Sequence, residues 1–188
     1  MIRIARDGDA AAIAAIYAPT VTDSVITFET QVPDAEAMRQ RVADRLAHYP
    51  WLVLEDQGRV LGYAYASRFR DRAAYDWICE TSVYVHPDAR RRGVARRLYT
   101  ALLDTLAMQG ITQALSVITL PGQVSIALHE RFGFVHTGTW YKAGYKLGQW
   151  HDVGVWQKQL AEPATPPTPV IAFAELAERE DWQASLNR

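Results

Sequence analysis

VYVHPDARRRGVARRLY, residues 83–99, is the stretch that decides the fold, because a strand pattern there passes through a short loop straight into a helix pattern. The apolar run at 77–85 predicts the strand, and Pro87 ends it. Leucines at a spacing of four predict a helix from about Val94 to Gln109, and Gly110 is typical of a helix end. A strand, a glycine loop and a helix in this order indicate an α/β protein with a ligand site at the joint.

The joint predicts a binding site for a pyrophosphate group. Backbone N–H groups in the first turn of a helix have no partner within the helix, and the helix dipole adds partial positive charge. Gly93 lets the backbone approach a ligand without a Cβ in the way, and Ala95 keeps the next turn narrow. Five cations lie beside this turn: Arg90, Arg91, Arg92, Arg96 and Arg97.

An arginine cluster alone would favour a solvated basic face or a nucleic-acid patch. This cluster lies at a strand-to-helix joint, and the whole chain of 188 residues has a formal net charge of -1, so we expect no nucleic-acid partner. The stretch also lacks the spacing of GxxxxGK[ST] and of GxGxxG, which excludes a P-loop and a dinucleotide-binding turn.

The segments on either side alternate between strand and helix. Asp9 can cap a helix that Pro19 ends, and Asp34 can cap a second one. Asp56-Gln57-Gly58 is a hairpin signal between two of the predicted strands. Strands are predicted at 1–5, 51–55, 60–67, 77–85, 115–119, 134–141 and 152–160, with a short helix at 125–131. This order predicts an α/β fold with a mixed central β-sheet and helices on both faces.

Arg90-x-x-Gly93-x-Ala95 after a strand resembles the acetyl-CoA signature, Q/R-x-x-G-x-G/A, of the GCN5-related N-acetyltransferase (GNAT) superfamily. Other stretches resemble phosphinothricin and methionine sulfoximine acetyltransferases, in one order over about residues 2–170: YPWLV, YDWICETSVYVHP, LHERFGF and GYKLGQWHDVGVWQ. The resemblance implies the GNAT fold and acetyl-CoA as donor. It implies direct acetyl transfer, in a ternary complex, to the amine of a small amino-acid-like substrate.

The resemblance also implies where acetyl-CoA binds. Backbone groups near Val83, Tyr84 and Val85 would meet the acetyl and pantetheine part. The family usually has Asn after the Leu-Pro of the loop before the LHE helix, where this chain has Gly122, and Ser125 is the expected substitute. Backbone groups of the glycine turn would hold the pyrophosphate: Arg90, Arg91, Arg92, Gly93, Val94, Ala95 and Arg96.

Two side chains are predicted to move protons. Acetyl transfer requires that the ammonium lose a proton and that the thiolate leave. Glu80 shares a strand face with Ser82 and Tyr84, and burial of its carboxylate would raise its pKa, which suits a base. The base of the family matches this position. His129 lies where the wider superfamily often has Tyr near the sulfur, so we expect it to protonate the thiolate or to help take the amine proton.

The loop SRFRDRAAYDW carries the predicted contacts to an anionic substrate. Arg70 and Arg72 can bind carboxylate or phosphinate groups in a bidentate manner, and Tyr75 follows them. Phe28 resembles the aromatic wall of the family over the substrate, and Tyr84 shares a face with Glu80 and is expected to line the same pocket.

Two alternatives remain open at this point. A protein or peptide acceptor would need an open groove, and a CoA-binding regulatory module without turnover would need neither Glu80 nor His129. A metal centre at His151 and Asp152 is not expected, because two adjacent residues do not have ligand spacing. Cys79 would face away from Glu80 and has no paired base, so no thiol nucleophile is predicted.

The chain is predicted to hold one catalytic domain at 1–161, followed by a proline-rich linker and a C-terminal tail at 162–188 that few core contacts reach. Residues 171–188 suggest either one amphipathic helix or a disordered end. The start of the chain lacks the apolar run of a signal peptide, and no segment reaches about 18 apolar residues in a row. With a single cysteine, we expect a cytoplasmic protein without a membrane span. The resemblance implies a homodimer.

Overall fold

The computed structural model describes residues 1–186, and these form a seven-stranded mixed sheet with helices on both faces, as predicted. The strands lie in the order β1-β2-β3-β4-β5-β7-β6. The strands are β1 (Ile2–Ile4), β2 (Trp51–Asp56), β3 (Arg59–Arg68), β4 (Ile78–Val85), β5 (Gln113–Thr119), β6 (Val135–Lys146) and β7 (Gln149–Gln159). The helices are α1 (Ala10–Thr22), α2 (Ala35–Leu46), α3 (Val94–Gln109), α4 (Gln123–Arg131), α5 (Phe173–Ala177) and α6 (Glu180–Ser185).

β1 to β4 form an antiparallel meander, and β4 then pairs with β5 in parallel after the crossover through α3. β7 pairs antiparallel with β5 on one side and with β6 on the other, so β6 lies at the edge. The parallel pair at the centre places the carboxyl ends of β4 and β5 together, where open α/β sheets bind ligands.

The two faces of the sheet carry separate cores. On one face, α3 buries Leu98, Leu102 and Leu106 against the small side chains of Ala64 and Ala66. On the other face, α1 and α2 cover an aromatic surface of the sheet that includes Trp51 and Tyr63. The helices contribute Ile13, Tyr17, Met38 and Val42 to this second core. The leucine face that the sequence predicts for α3 is therefore the face that the helix buries against the sheet.

The predicted helix caps have mixed outcomes. Asp34 accepts a hydrogen bond from the Ala37 N–H at 2.8 Å, which confirms the cap of α2. Asp9 does not cap α1 with its side chain; it binds Arg3 at 2.7 Å instead. The expectation that Pro19 ends α1 is wrong, because burial of Thr20 and Val21 carries the helix on to Thr22.

The expectation that few core contacts reach the tail is also wrong. Phe173, Leu176 and Trp182 are fully buried in the core on the α3 face. The indole of Trp182 donates to Thr105 of α3 at 3.0 Å, and Trp77 donates to the Thr168 carbonyl at 2.6 Å. The tail forms two short helices, α5 and α6, rather than one, and residues 187–188 of the predicted tail lie outside the described residues. A division of the chain near residue 161 stays a prediction.

Candidate active site

β4 and β5 separate part-way along their length. They pair over three positions, which end at Glu80 opposite Leu115. At the next residue the hydroxyl of Thr81 donates to the Leu115 carbonyl at 2.9 Å, and Tyr99 of α3 donates to that hydroxyl. Beyond Thr81, the side of β4 that faces β5 has no strand partner within residues 1–186. Backbone groups along this edge can therefore bind an extended ligand that carries amide groups.

The N-terminus of α3 is fixed at the open end of this gap. Gly62 of β3 pairs with Val85 at the end of β4, and Val94 at the start of α3 packs directly on Gly62. A Cβ at Gly62 would lie 2.7 Å from the Tyr84 carbonyl oxygen and 3.0 Å from Val94 Cγ1, so only glycine permits this approach. The start of α3 therefore lies beside the carboxyl end of β4, the end of the strand at which β4 no longer pairs with β5.

The turn into α3 has the features of an anion site. Gly93 has φ +77°, has no side chain to cap the helix, and has no protein atom within 4 Å of the place where a Cβ would lie. Arg91 also takes a left-handed conformation, with φ +62°. The five flanking arginines are exposed, and among residues 1–186 none of them forms an ion pair: Arg90, Arg91, Arg92, Arg96 and Arg97. First-turn N–H groups and free guanidinium groups together suit a pyrophosphate.

Gly122, at the position where the family usually has Asn, lies in a left-handed turn that leaves no room for a side chain. Its φ is +33°, and a Cβ would lie 2.6 Å from both the Thr119 carbonyl oxygen and Ile118 Cγ2. An Asn would not fit this backbone. Ser125, the expected substitute, lies one turn into α4, and its hydroxyl is 3.3 Å from Nδ1 of His129.

Glu80 lies on the face of β4 that turns away from α3. Its neighbours Cys79 and Thr81 are buried on the α3 side, so alternation directs Glu80 to the side of α1 and α2. The carboxylate is half-buried, and burial raises its pKa. It lies at the last paired position before the gap opens, so a group that reaches into the gap would come close to it.

His129 is buried, with 3% of its surface exposed, and both ring nitrogens are in use. Nδ1 donates to the Ser125 carbonyl at 2.7 Å, so Nε2 accepts from the Ser116 hydroxyl at 2.7 Å. Burial lowers the pKa of His129, although the bond to Ser125 opposes this effect. The ring also packs edge-on against Tyr99 at 5.0 Å. The imidazole is thus held neutral, in one tautomer, between α4 and β5.

Tyr84 and the loop of Phe28 meet on the face of Glu80. Tyr84 stacks on Tyr63, and Tyr17 of α1 meets it edge-on, both at 5.2 Å. The hydroxyl of Tyr17 lies 2.8 Å from that of Thr27, and it donates to Glu29 at 2.9 Å. These bonds tie the loop to the aromatic surface, and Phe28 lies between the two bonded residues.

Arg70, Arg72 and Tyr75 lie at the opposite end of β4, in the loop that leads into it. The guanidinium of Arg70 lies over the rings of Phe69 (4.9 Å) and Tyr75 (5.7 Å), and Arg72 is exposed. The structure therefore places the predicted substrate residues in two groups, with Glu80 between them along the strand. From Glu80 to Tyr84 is roughly 13 Å at the rise of a strand.

Two cavities flank these groups. One of about 510 Å³ is lined by Phe28, Glu29 and Arg41, among others, between the 28–34 segment and α2. The other, of about 500 Å³, lies near the start of β4 beneath the C-terminal segment, where Arg68 and Asp76 flank the loop of Arg70. Neither Arg70 nor Arg72 lines either cavity.

Sequence reasoning missed the residues that shape the gap. Thr81, Tyr99 and Ser116 are polar side chains inside otherwise apolar elements, and each is buried. A buried polar group needs a hydrogen-bond partner, so such positions are the available signal. Lys146 is a second group of this kind, a buried cation near the end of β6.

Neither a metal-binding cluster nor a membrane-spanning helix is found in the part of the chain that the structure describes. Within residues 1–186, no cluster of three or more His, Cys, Asp or Glu side chains is arranged to hold a metal ion. In the same part of the chain, no helix combines the length and the apolar character that a bilayer crossing requires.

Comparison with known proteins agrees with this geometry. Residues 2–155 match the family model described as an acetyltransferase (GNAT) domain. Phosphinothricin N-acetyltransferase of Streptomyces viridochromogenes is 42% identical over 93% of this chain and 95% of its own. L-methionine sulfoximine/L-methionine sulfone acetyltransferase of Salmonella typhimurium is 34% identical over 88% and 97%. A phosphinothricin acetyltransferase from Sinorhizobium meliloti, solved with acetyl-CoA, has a TM-score of 0.84 at 33% identity, over 92% and 97%.

The fold, the gap and the helix turn define an acetyl-CoA-dependent N-acetyltransferase, and the chain belongs to the GNAT superfamily. Within that superfamily it belongs with the phosphinothricin and methionine sulfoximine N-acetyltransferases. The family that the sequence motifs resembled is thereby confirmed.

Proposed function

We propose that this enzyme acetylates the amine of a small amino-acid-like substrate of the phosphinothricin, methionine sulfoximine or methionine sulfone type. Relatives named for these substrates align over nearly the whole chain. The observation that carries the proposal is Glu80, a half-buried carboxylate whose pKa is raised by burial, at the point where the gap between β4 and β5 begins.

In the proposed reaction, Glu80 takes a proton from the ammonium, directly or through a water. The free amine attacks the thioester carbonyl and a tetrahedral oxyanion forms. The C–S bond then breaks to release the CoA thiolate, and the second proton that the nitrogen loses as it becomes an amide balances the proton that the thiolate takes up. A carboxylate with a raised pKa suits the first step, because a base is most effective when its pKa lies near the working pH. No covalent acyl-enzyme is needed in this scheme, and Cys79 is fully buried with a raised pKa.

His129 is the alternative proton carrier, and its contacts favour another role. Its two nitrogens already serve Ser125 and Ser116, and burial keeps the ring neutral. We infer that His129 positions α4 against β5. The proton for the thiolate would then come from a group other than His129, or through Ser125.

The acetyl-CoA site would extend from the gap to α3. Backbone groups of Val83, Tyr84 and Val85 would meet the pantetheine arm along the unpaired edge of β4. The turn from Arg90 to Arg96 would hold the pyrophosphate with its N–H groups and guanidinium groups. The open space around Gly93 supports this arrangement.

The acceptor site would lie on the face of Glu80, between its two groups of side chains. Phe28 and Tyr84 would pack on the apolar stem of an amino acid, and Arg70, Arg72 and Tyr75 would approach its anionic or polar groups from the loop before β4. A protein acceptor would need an open groove here, and a CoA-binding module would have no use for a buried carboxylate.

We also propose that the protein is a homodimer in the cytoplasm. Aromatic side chains project from the β6–β7 hairpin into solvent, including Tyr145 and Trp150, which are about 60% exposed and meet at 5.4 Å. Exposed apolar patches of this kind mark interaction surfaces. Sedimentation of the parent and of Trp150→Asp tests the dimer, which the variant should weaken.

The test of the function is a turnover assay that measures free thiol from acetyl-CoA over a panel of amino acids. The panel should contain phosphinothricin, methionine sulfoximine, methionine sulfone, unmodified methionine, a polyamine and a peptide with a free N-terminus. We expect turnover with the first three and little with the peptide. Activity on the peptide or the polyamine alone would overturn the proposal.

A further inference from the structure

Phe28 lies directly on the backbone of Gly144. A Cβ built at Gly144 would lie 2.5 Å from Cδ2 of the Phe28 ring, and closer still to Cε2 and Cζ. Carbon atoms in contact lie about 3.5–4.0 Å apart, so no side chain can occupy position 144 while the ring stays where it is. Glycine at this position is therefore what admits the ring.

Two further contacts of β6 and β7 fix the same loop. Lys146, two residues along the same face of β6, donates from its buried ammonium to the Thr27 carbonyl at 2.7 Å and to the Thr20 carbonyl at 3.3 Å. His151 pairs with Gly144 across the strands, and its ring lies 6.2 Å from that of Phe28. Its Nε2 donates to the Lys146 carbonyl at 3.0 Å.

The contacts of Gly144, Lys146 and His151 hold Phe28 in place, and Phe28 is not part of the buried core. Phe28 is 36% exposed and lines the cavity of about 510 Å³ with its open side. The backbone of Gly144 and the ring of His151 limit the position of the Phe28 ring on the side of β6 and β7, and the same ring lines the cavity. Phe28, as a wall of the cavity, is thus positioned by β6, although Gly144 of β6 contributes no side chain to the cavity.

We propose that Gly144 is a specificity-determining residue of the acetyl transfer: by seating Phe28 against β6, it sets the width of the apolar wall that receives the acceptor side chain. The inference rests on the proposed function, since it takes Phe28 as part of the acceptor site. Lys146 is a positioning residue in the same device, because it holds the carbonyl next to Phe28. Position 144 consequently controls which acceptors fit.

The experiment compares Gly144→Ala with Gly138→Ala. Both glycines lie in β6 and neither has a positive φ, but a Cβ at Gly138 meets no atom within 4 Å. In Gly144→Ala we expect KM for methionine sulfone to rise about tenfold or more, because the displaced ring narrows the pocket. KM for an acceptor with a shorter side chain, such as alanine, should change less. The Kd of acetyl-CoA should stay as in the parent, and Gly138→Ala should match the parent throughout.

A second variant tests that the effect passes through Phe28. Phe28→Leu removes the ring atoms that meet the new Cβ, so the double variant Gly144→Ala/Phe28→Leu should have a lower KM than the product of the two single effects predicts. Thermal unfolding of the same four proteins gives an independent measure of the contact. Additive effects on KM would overturn the proposal, even if the unfolding data show that the two residues touch.

The design separates this proposal from the function it rests on. If the parent acetylates no amino acid in the panel, the proposed function fails before position 144 is tested. If the parent is active and Gly144→Ala leaves the ratio of kcat/KM values for methionine sulfone and alanine unchanged, only the specificity role fails.

Discussion

Glu80 and His129 lie on opposite faces of the central sheet. Thr81, the neighbour of Glu80 in β4, bonds to Tyr99 of α3, and the ring of His129 packs against the same Tyr99. Alternation along the strand sends Glu80 to the other side. The two side chains can therefore act on one molecule only if it lies in the gap between β4 and β5, which is where the thioester of acetyl-CoA is proposed to bind.

Glu80→Gln should remove the acidic limb of the pH–rate profile. Burial raises the pKa of this carboxyl, so the parent should lose activity as the pH falls through that raised value and Glu80 becomes protonated. We expect kcat to fall by about 10²–10⁴-fold near neutrality and the loss to shrink at high pH, where free amine is abundant.

The same variant gives a check on stability. A carboxyl whose pKa is raised by folding contributes stability at low pH that is lost as the pH rises, so Gln should not lower Tm at neutral pH. His129→Gln should lower Tm but keep the acidic limb. An unchanged kcat in Glu80→Gln at neutrality would eliminate Glu80 and make His129 the leading base.

Gly93→Val should weaken acetyl-CoA binding by about tenfold or more in calorimetry, because the new side chain enters the space proposed for the pyrophosphate. Gly58→Val is the matched control, since both glycines have φ +77° and neither has a protein atom near the site of a Cβ. The control therefore carries the same backbone strain in the β2–β3 turn. Equal acetyl-CoA affinity in the two variants would show that the turn does not hold the cofactor.

Arg72→Ala should raise KM for the amino-acid acceptor by about tenfold, with a smaller effect on kcat, because a charge-assisted bond is worth roughly 1.5–3 kcal/mol. Arg72→Lys should recover only part, because Lys cannot present two parallel donors. Arg70→Ala should act similarly, and Arg179→Ala, in the tail, should have no effect on KM. If neither loop variant changes KM for any active amino acid, a small anionic acceptor is the wrong class.

Trp182→Ala should destabilise the protein by about 3–5 kcal/mol, the range for a large aromatic side chain lost from a core. Trp182 is 1% exposed, and its indole N–H is bonded to Thr105. Gln183→Ala, at the exposed next position, should leave Tm nearly unchanged. The kcat of folded Trp182→Ala should stay close to that of the parent, because the tail packs on the face away from Glu80. A large fall in kcat at a temperature where Trp182→Ala is still folded would show that the tail reaches the active site.

α3 shows how much of the site could be predicted from local pattern. Its leucine spacing, Gly93 before it and Gly110 after it predicted a helix from Val94 to Gln109, and these are its bounds in the structure. The strand pattern of β4 likewise predicted that Glu80 lies on the face of the strand opposite to Cys79 and Thr81. Both succeed because the repeat of a helix or a strand depends on residues a few positions apart.

His129 shows where that reasoning stops. A histidine at this place in the family pattern suggested proton transfer, and the structure places it between Ser116 and Ser125 with both nitrogens bonded. Ser116 lies in a different element, so no local pattern could have predicted the pairing. Proton transfer by His129 stays a prediction. The contacts of the tail were missed for the same reason as this pairing: its proline-rich start predicted few contacts, whereas the Trp182 indole bonds to Thr105 of α3.

The sequence by itself determined the order of strands and helices as far as β7, the glycine turn at the start of α3 and the family to which the chain belongs, because each depends on neighbouring residues. The tertiary structure decided that β4 and β5 part after Glu80, that Glu80 and His129 face opposite sides, and that Phe28 rests on Gly144. Each of these depends on contacts between residues far apart in the chain, such as Thr81 with Leu115 and Lys146 with Thr27. Packing and the need of buried polar groups for partners fix such contacts only once the whole chain has folded.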